Sequence, residues 1–233
     1  MSILPSGFYL GPIAFDESGL IGWIIAALVS LYYAGWAIKR RGIGGEKVTD
    51  VMVGMAAIWV LTPRILSFVY APSESFAHPI LTLVNGEVPY GGWIGLAFAL
   101  LYALWQQKKH NFFSWAAVDA VVRSLVLGFA VYSLFYAKAG AATDLPWAVT
   151  IGEGSYHPLN LYQAAIAFGL FALRRRGLFT LSLLGGAMLL LSLLQVHPYT
   201  HFGLAVVQWQ WLLLAVLAGV VDHFFGENKV KTG

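Results

Sequence analysis

The sequence predicts an all-α, polytopic membrane protein with about seven transmembrane helices, its amino terminus outside and its carboxyl terminus in the cytoplasm. Three observations predict it. Hydrophobic residues make up 59% of the 233 positions and charged residues only 11%. A soluble domain is nearer half apolar and a quarter charged, so the surplus must face a solvent other than water. The apolar residues gather in runs of a length that crosses a bilayer as a helix, roughly 17–25 residues. Such runs are too long and continuous for barrel strands, which alternate. The basic residues, finally, cluster on every second connection between runs.

The runs fall in order from Gly19 to Ile38, Val51 to Tyr70, Gly91 to Trp105 (a short one), Trp115 to Tyr136, Leu159 to Leu173, Leu178 to Gln195 and Leu204 to Phe224. The connections after the first, third and fifth runs, and the tail, carry Lys39, Arg40, Arg41, Lys47, Lys108, Lys109, Arg174, Arg175, Arg176, Lys229 and Lys231. The opposite side carries Lys138 alone. Cations are retained in the cytoplasm, so this asymmetry sets the orientation, and one missed or surplus helix would scramble it. Trp36, Trp93, Trp105, Trp115 and Trp209 fall near run ends, where interfacial indoles belong.

Nothing marks a soluble appendage, a fixed-period repeat or a cleavable signal peptide, so residues 1–233 read as a single integral membrane domain. The formal net charge of +3 hints weakly at nucleic acid, but its confinement to short clusters between apolar runs argues against such a partner. With no cysteine there is no disulfide, thiol nucleophile or zinc–thiolate site. No cofactor and no metal site are expected: only His197 and His201 are spaced i,i+4, and Pro198 interrupts them.

Chemistry is expected at the outer leaflet. The outer connections, Ala71 to Tyr90, Lys138 to Pro158 and Val196 to Gly203, are varied in composition and hold His78, His157, His197 and His201. Inside the runs stand Arg64, Asp119 and Arg123. A charge at the membrane centre costs roughly 2.5–3.5 kcal/mol and persists only when paired or facing a polar cavity. Asp119 and Arg123 are i,i+4 and are placed to pair on one helix face. Arg64 has no local partner; it either grips a lipid phosphate with its fork or caps a carbonyl. Gly91 and Gly92, in Pro89-Tyr90-Gly91-Gly92-Trp93-Ile94-Gly95, admit close approach of a ligand or of a neighbouring helix. Pro158 suits a helix first turn, which puts His157 at its start, as a general base or as an interfacial hydrogen-bonding residue.

These pieces, in this order, resemble the prolipoprotein diacylglyceryl transferases over nearly the whole chain. Phe8-Tyr9-Leu10-Gly11-Pro12, Lys39-Arg40-Arg41-Gly42 and Arg64 followed by Phe68 and Tyr70 are similar to family segments, and Thr143-Asp144-Leu145-Pro146-Trp147 matches a common family sequence outright. Tyr90-Gly91-Gly92-Trp93-Ile94-Gly95 resembles His-Gly-Gly-Leu-Ile-Gly, and His157-Pro158-Leu159-Asn160-Leu161-Tyr162-Gln163 resembles His-Pro-Ser-Gln-Leu-Tyr-Glu. The resemblance implies seven spans in the inner membrane with the same orientation. It also implies transfer of a diacylglyceryl group from a phosphatidylglycerol-like phospholipid to the cysteine thiol of a lipoprotein precursor. It assigns His157 or His197 as base and Tyr90 as hydrogen-bond donor, Arg64 and Arg123 as phosphate-binding, and Gly91, Gly92, Asn160 and Tyr162 to substrate binding.

The chain also departs from the family pattern. Tyr90 stands where the family has histidine. Residues 128–140 contain no arginine, with Phe129 or Ser133 in the place of the signature one, and the asparagine and glutamate that follow it are missing too. Tyr156 replaces an arginine, another family arginine falls near Val196 and His197, and Ser18 replaces a tyrosine. Loss of one group that stabilises developing charge costs about 10²–10³ in rate, so several losses demand substitutes. Three readings follow: a divergent lipid transferase, a non-catalytic relative that binds phospholipid or a membrane partner, and a transporter-like or structural subunit.

Overall fold

The computed structural model describes residues 8–10, 13–15, 18–42, 45–86, 88–110, 114–136, 138–151, 154–173, 175–195, 200 and 202–226. Its elements are β1 (Phe8–Leu10), β2 (Ile13–Phe15), α1 (Ser18–Arg40), α2 (Gly45–Tyr70), α3 (Pro72–Ala77), α4 (Pro79–Asn85), α5 (Gly91–His110), α6 (Trp115–Phe135), β3 (Ala139–Ala142), β4 (Val149–Ile151), β5 (Gly154–Pro158), α7 (Leu159–Ala172), α8 (Gly177–Leu191) and α9 (Val206–Gly226). A 3-10 turn, Ser192–Leu194, continues α8.

Among the described residues, five helices are long and apolar enough to cross a membrane: Gly22–Arg40, Lys47–Tyr70, Trp115–Phe135, Gly177–Leu194 and Val206–Phe224. The other two apolar runs are helical but weaker on that measure. Helix α7 has 14 residues, or about 21 Å, against a hydrocarbon core of about 30 Å. Helix α5 has 20 residues, but Gln106-Gln107-Lys108-Lys109-His110 end it. The all-α expectation needs correction in two places. Strands β1 and β2 pair antiparallel, and the connection 138–158, read as irregular, forms a three-stranded antiparallel sheet of order β3-β5-β4. The connection 71–90, read as a loop, carries α3 and α4, each opened by a proline in its first turn, where the missing N–H costs nothing.

The chain forms two compact units, Gly35–Ala117 and Met1–Ala34 with Val118–Gly233. In the first, α5 lies on α2 through a stripe of buried small residues, Gly91, Gly95 and Ala99. Pro63 stands inside α2 and brings no N–H of its own to the helical ladder. Gly95 packs on the same stretch: a Cβ on it would sit 2.8 Å from Trp59 O, and one on Gly91 2.9 Å from Pro63 Cβ. At the end of α2, the Ser75 hydroxyl donates to Ser67 O at 3.0 Å and ties α3 down.

In the second unit the core is built from Val126, Ala130, Leu159, Ala167, Leu184 and Met188. A Cβ on Gly128 would overlap the Ser30 hydroxyl, so α1 and α6 approach closely. Helices α8 and α9 do the same, with Gly185 against Ala215 and the Ser182 hydroxyl donating to Ala215 O at 2.7 Å. The fully buried Ser124 and Ser192 donate to carbonyls three residues back in their own chain segment. That is how polar groups are satisfied where no water competes.

Candidate functional site

The three-stranded sheet positions the candidate site. Central strand β5 pairs with β4 through Val149↔Tyr156, Thr150↔Ser155 and Ile151↔Gly154, and with β3 through Ala139↔Pro158. The Leu159 N–H donates to Lys138 O at 3.0 Å, so the ladder runs straight into the first residue of α7. Leu159 is fully buried and pins the helix start. Gly140 is required here: a Cβ on it would meet Leu194 O at 2.8 Å, Leu159 Cγ at 2.9 Å and His157 Cβ at 3.1 Å.

His157, on the last turn of the ladder, is half-buried. Its Nδ1 lies 3.3 Å from the hydroxyl of Tyr162, one turn into α7. The Trp147 indole Nε1 donates to the same hydroxyl at 2.7 Å. Asn160 is 4% exposed, and its side-chain Nδ2 has no hydrogen-bond partner among the described residues, a condition it shares with Arg123 Nε. Leaving a buried amide donor unused costs roughly 1–3 kcal/mol. Such a group marks a place where an acceptor from outside the chain fits. Gln163 is buried one turn further along the same helix face.

Lys138 completes this end of the molecule. The hydrogen bond from Leu159 N–H to its carbonyl sets the Lys138 backbone beside the start of α7, directly before β3. The Lys138 ammonium is half-buried, and burial pushes its pKa below the ordinary lysine value. Sequence reading counted Lys138 only as the lone outer cation. Trp147 was visible inside its motif, but its partner is 15 residues away, and no spacing rule points to it.

The other expected site residues fall elsewhere. Arg123 belongs to the far end of α7: it donates to Phe171 O at 3.1 Å and Arg175 O at 3.3 Å, and its guanidinium lies 5.4 Å from the Phe171 ring centroid. It caps the last carbonyls of α7, about 18 Å along the helix from His157 by helical rise. Asp119, expected to pair with it, accepts from Gly177 N–H at the start of α8. Each of the two charges thus serves a helix end, Arg123 beyond the close of α7 and Asp119 at the start of α8. Phe129 packs edge-on against Trp211, and the Ser133 hydroxyl donates to Phe129 O at 2.8 Å.

In the unit 35–117, Arg64 donates to Val60 O, one turn back in α2, at 2.7 Å. Tyr90 is 81% exposed and has φ of 60°, a left-handed conformation that is uncommon for a bulky residue. Its carbonyl accepts from Trp93 and Ile94 N–H and so starts α5. Gly91 is taken up by packing on α2. A Cβ on Gly92 would meet nothing within 4 Å, and its carbonyl accepts from the Trp59 indole at 3.0 Å. His197 lies outside the described residues, as do His201, Val196 and Pro198.

Residues 5–194 match the model of one family, prolipoprotein diacylglyceryl transferase. The chain belongs to that family. Among relatives named phosphatidylglycerol–prolipoprotein diacylglyceryl transferase, the protein of Tolumonas auensis is 27% identical over 182 residues, which cover 70% of this chain and 67% of the relative. That of Mannheimia succiniciproducens is 31% identical, covering 68% and 63%, and that of Shewanella oneidensis 37% identical, covering 60% and 57%. The matched stretch thus spans about two thirds or less of these relatives' own length. The match to the diacylglyceryl transferases takes in Lys138, Trp147, His157, Asn160 and Tyr162.

Proposed function

We propose that the chain is a phospholipid-dependent diacylglyceryl transferase of the inner membrane, and that its reaction takes place at the outer end of α7. The observation that carries this reading is that the family match covers a hydrogen-bonded cluster, Trp147–Tyr162–His157, beside an orphaned buried donor and a desolvated cation. In this reading the chain is one membrane domain crossing the bilayer seven times, with its amino terminus outside. Helices α5 and α7 make the two crossings that are short in apolar length, tolerated because flanking groups snorkel and the bilayer thins. The outer face then carries residues 138–162, where phospholipid and an exported precursor meet.

The donor is phosphatidylglycerol-like and the acceptor is the cysteine thiol of a lipoprotein precursor. The thiol sulfur forms a bond to the glyceryl carbon while the bond from that carbon to the phosphate oxygen breaks. Glycerol phosphate leaves with the electron pair, and the thiol proton passes to a base, for which His197 is the remaining histidine of the sequence reading. Charge developing on the departing phosphate calls for donors held in place beforehand. Lys138 supplies the cation that the sequence reading sought in Arg123. Asn160 Nδ2 and His157 supply further donors. Arg64 and Tyr90, in the other unit, are separate contacts for lipid headgroups, and Gly92 leaves open space beside them.

Purified protein in phosphatidylglycerol vesicles, given a precursor peptide with a single cysteine, tests this. The expected product is the diacylglyceryl thioether, lost in His157→Ala and strongly reduced in Lys138→Met. Absence of thioether with phosphatidylglycerol, phosphatidylethanolamine and cardiolipin alike would remove the catalytic reading and leave that of a phospholipid-binding relative.

A further inference from the structure

The cluster at the outer end of α7 has a direction. An indole N–H donates and never accepts, and the Trp147 Nε1 donates to the Tyr162 oxygen at 2.7 Å. A phenolic hydroxyl that accepts one bond has its own proton left to give. The acceptor within reach of Tyr162 is His157 Nδ1, at 3.3 Å. The two rings are tilted at 59° with their centroids 6.0 Å apart, and the hydroxyl meets the imidazole at its Nδ1 atom. The reverse arrangement, with Nδ1–H donating, would leave the oxygen accepting twice and the tyrosine proton with no acceptor among the described residues. Neutral imidazole holds one proton, and the partner of one nitrogen decides which nitrogen carries it.

We infer that Trp147 is a positioning residue which, through Tyr162, holds neutral His157 as its Nε2–H tautomer, so that this histidine meets the substrate as a hydrogen-bond donor. The ligand group it takes is an anionic or strongly accepting oxygen, a phosphate oxygen above all. Of the two roles that sequence reading left open for His157, general base and hydrogen-bonding residue, this arrangement favours the second: a nitrogen already protonated does not take the thiol proton, and the other nitrogen is occupied by Tyr162. The indole is 58% exposed, so its value does not lie in packing alone. The substrate half of this inference rests on the transferase reading; the tautomer does not.

The test uses full-length protein with nitrogen-15-labelled histidine in lipid bilayers, with no substrate present. The His157 resonances are assigned by their loss in His157→Gln. At a pH where the ring is neutral, Nδ1 is expected in the unprotonated range and Nε2 in the protonated range. Trp147→Phe keeps the aromatic bulk and removes the donor, and it is expected to shift the population measurably towards Nδ1–H. Tyr162→Phe should shift it as far or further. In the transfer assay Trp147→Phe should lower kcat roughly fivefold to tenfold, the scale of one neutral hydrogen bond, with KM unchanged. A thermal melt on each variant separates loss of fold from loss of tautomer control. Nδ1–H in the unaltered protein, or a tautomer ratio unmoved by Trp147→Phe in a folded protein, overturns the inference. Failure of the transfer assay with the expected tautomer in place would instead fall on the transferase reading.

Discussion

The two ends of α7 handle polarity differently. At the end near Phe171, Arg123 places a formal charge inside an apolar run, yet its two terminal nitrogens are spent on the carbonyls of Phe171 and Arg175. At the end near Leu159 the groups are mostly neutral, but Asn160 Nδ2 is buried without a partner among the described residues and Lys138 is desolvated. A charge inside a span is expensive, which makes it look functional. Arg123 shows that such a charge is equally well used to close a helix end. Each end keeps one buried donor without a partner among the described residues, Arg123 Nε and Asn160 Nδ2; what separates them is that the rest of the guanidinium is committed to backbone carbonyls, while the Leu159 end holds the side-chain cluster Trp147–Tyr162–His157.

The largest expected effect sets the two ends directly against each other. His157→Ala should lower the transfer rate about 10²–10³-fold, the range seen when one donor to developing charge is removed, while the melting temperature stays put. Arg123→Met should do the converse: activity per folded molecule is retained, and stability falls by about 1.5–3 kcal/mol as charge-assisted bonds to two carbonyls are lost. Parallel melts and initial rates in one detergent check both. Rate loss in a fully folded Arg123→Met would break the comparison.

Glycines sharpen it next. Gly140→Ala drives a Cβ towards the backbone carbonyl of Leu194 at 2.8 Å, which cannot swing away as a side chain would. It should cost about 1–3 kcal/mol and disturb the His157 face. Gly186→Ala, in α8 with open space around it, should instead stabilise by about 0.5–1 kcal/mol through helix propensity. Thermal melts of the two variants should therefore move in opposite directions.

The smallest expected effect concerns pH. Burial lowers the Lys138 pKa, so on raising the pH its ammonium discharges before an ordinary lysine does. If it holds the headgroup phosphate, retention of phosphatidylglycerol should weaken on the alkaline side and should persist to higher pH in Lys138→Arg, whose guanidinium stays charged. The linked stability term has the opposite sign. Between the lowered pKa and the ordinary one the unfolded chain binds more protons, so stability rises with pH through that window. Lipid retention measured by mass spectrometry after washing, alongside melts across the same pH range, separates the two.

The helices were legible because lipid leaves the backbone few choices: wherever the sequence is apolar over a long run, the structure is helical. The sheet between α6 and α7 was not. Ala139-Gly140-Ala141-Ala142 carries almost no strand signal, and strands of three to five residues give alternation too little length to register. Val149-Thr150-Ile151, β-branched throughout, was the available hint. The polar partnerships were hidden for another reason. Sequence shows the cost of a buried Arg123 or Asp119 but not the backbone groups that answer it, which lie 48 and 58 residues away. Asp119 and Arg123 are neighbours on one helix, so local spacing suggested a pair; tertiary structure offered each a helix end instead. The motif holding His157, Asn160 and Tyr162 was found, whereas Lys138 stood in the stretch searched for a missing arginine and was passed over because it is not one.

The most direct test is photocrosslinking with phosphatidylglycerol that carries a diazirine on its glycerol headgroup, followed by peptide mapping. Crosslinks are expected in residues 138–162, around Lys138, Trp147 and His157, and are expected to diminish in Lys138→Met. Crosslinks confined to residues 171–176 and the neighbourhood of Arg123, with none between 138 and 162, would contradict the assignment of the site to the outer end of α7.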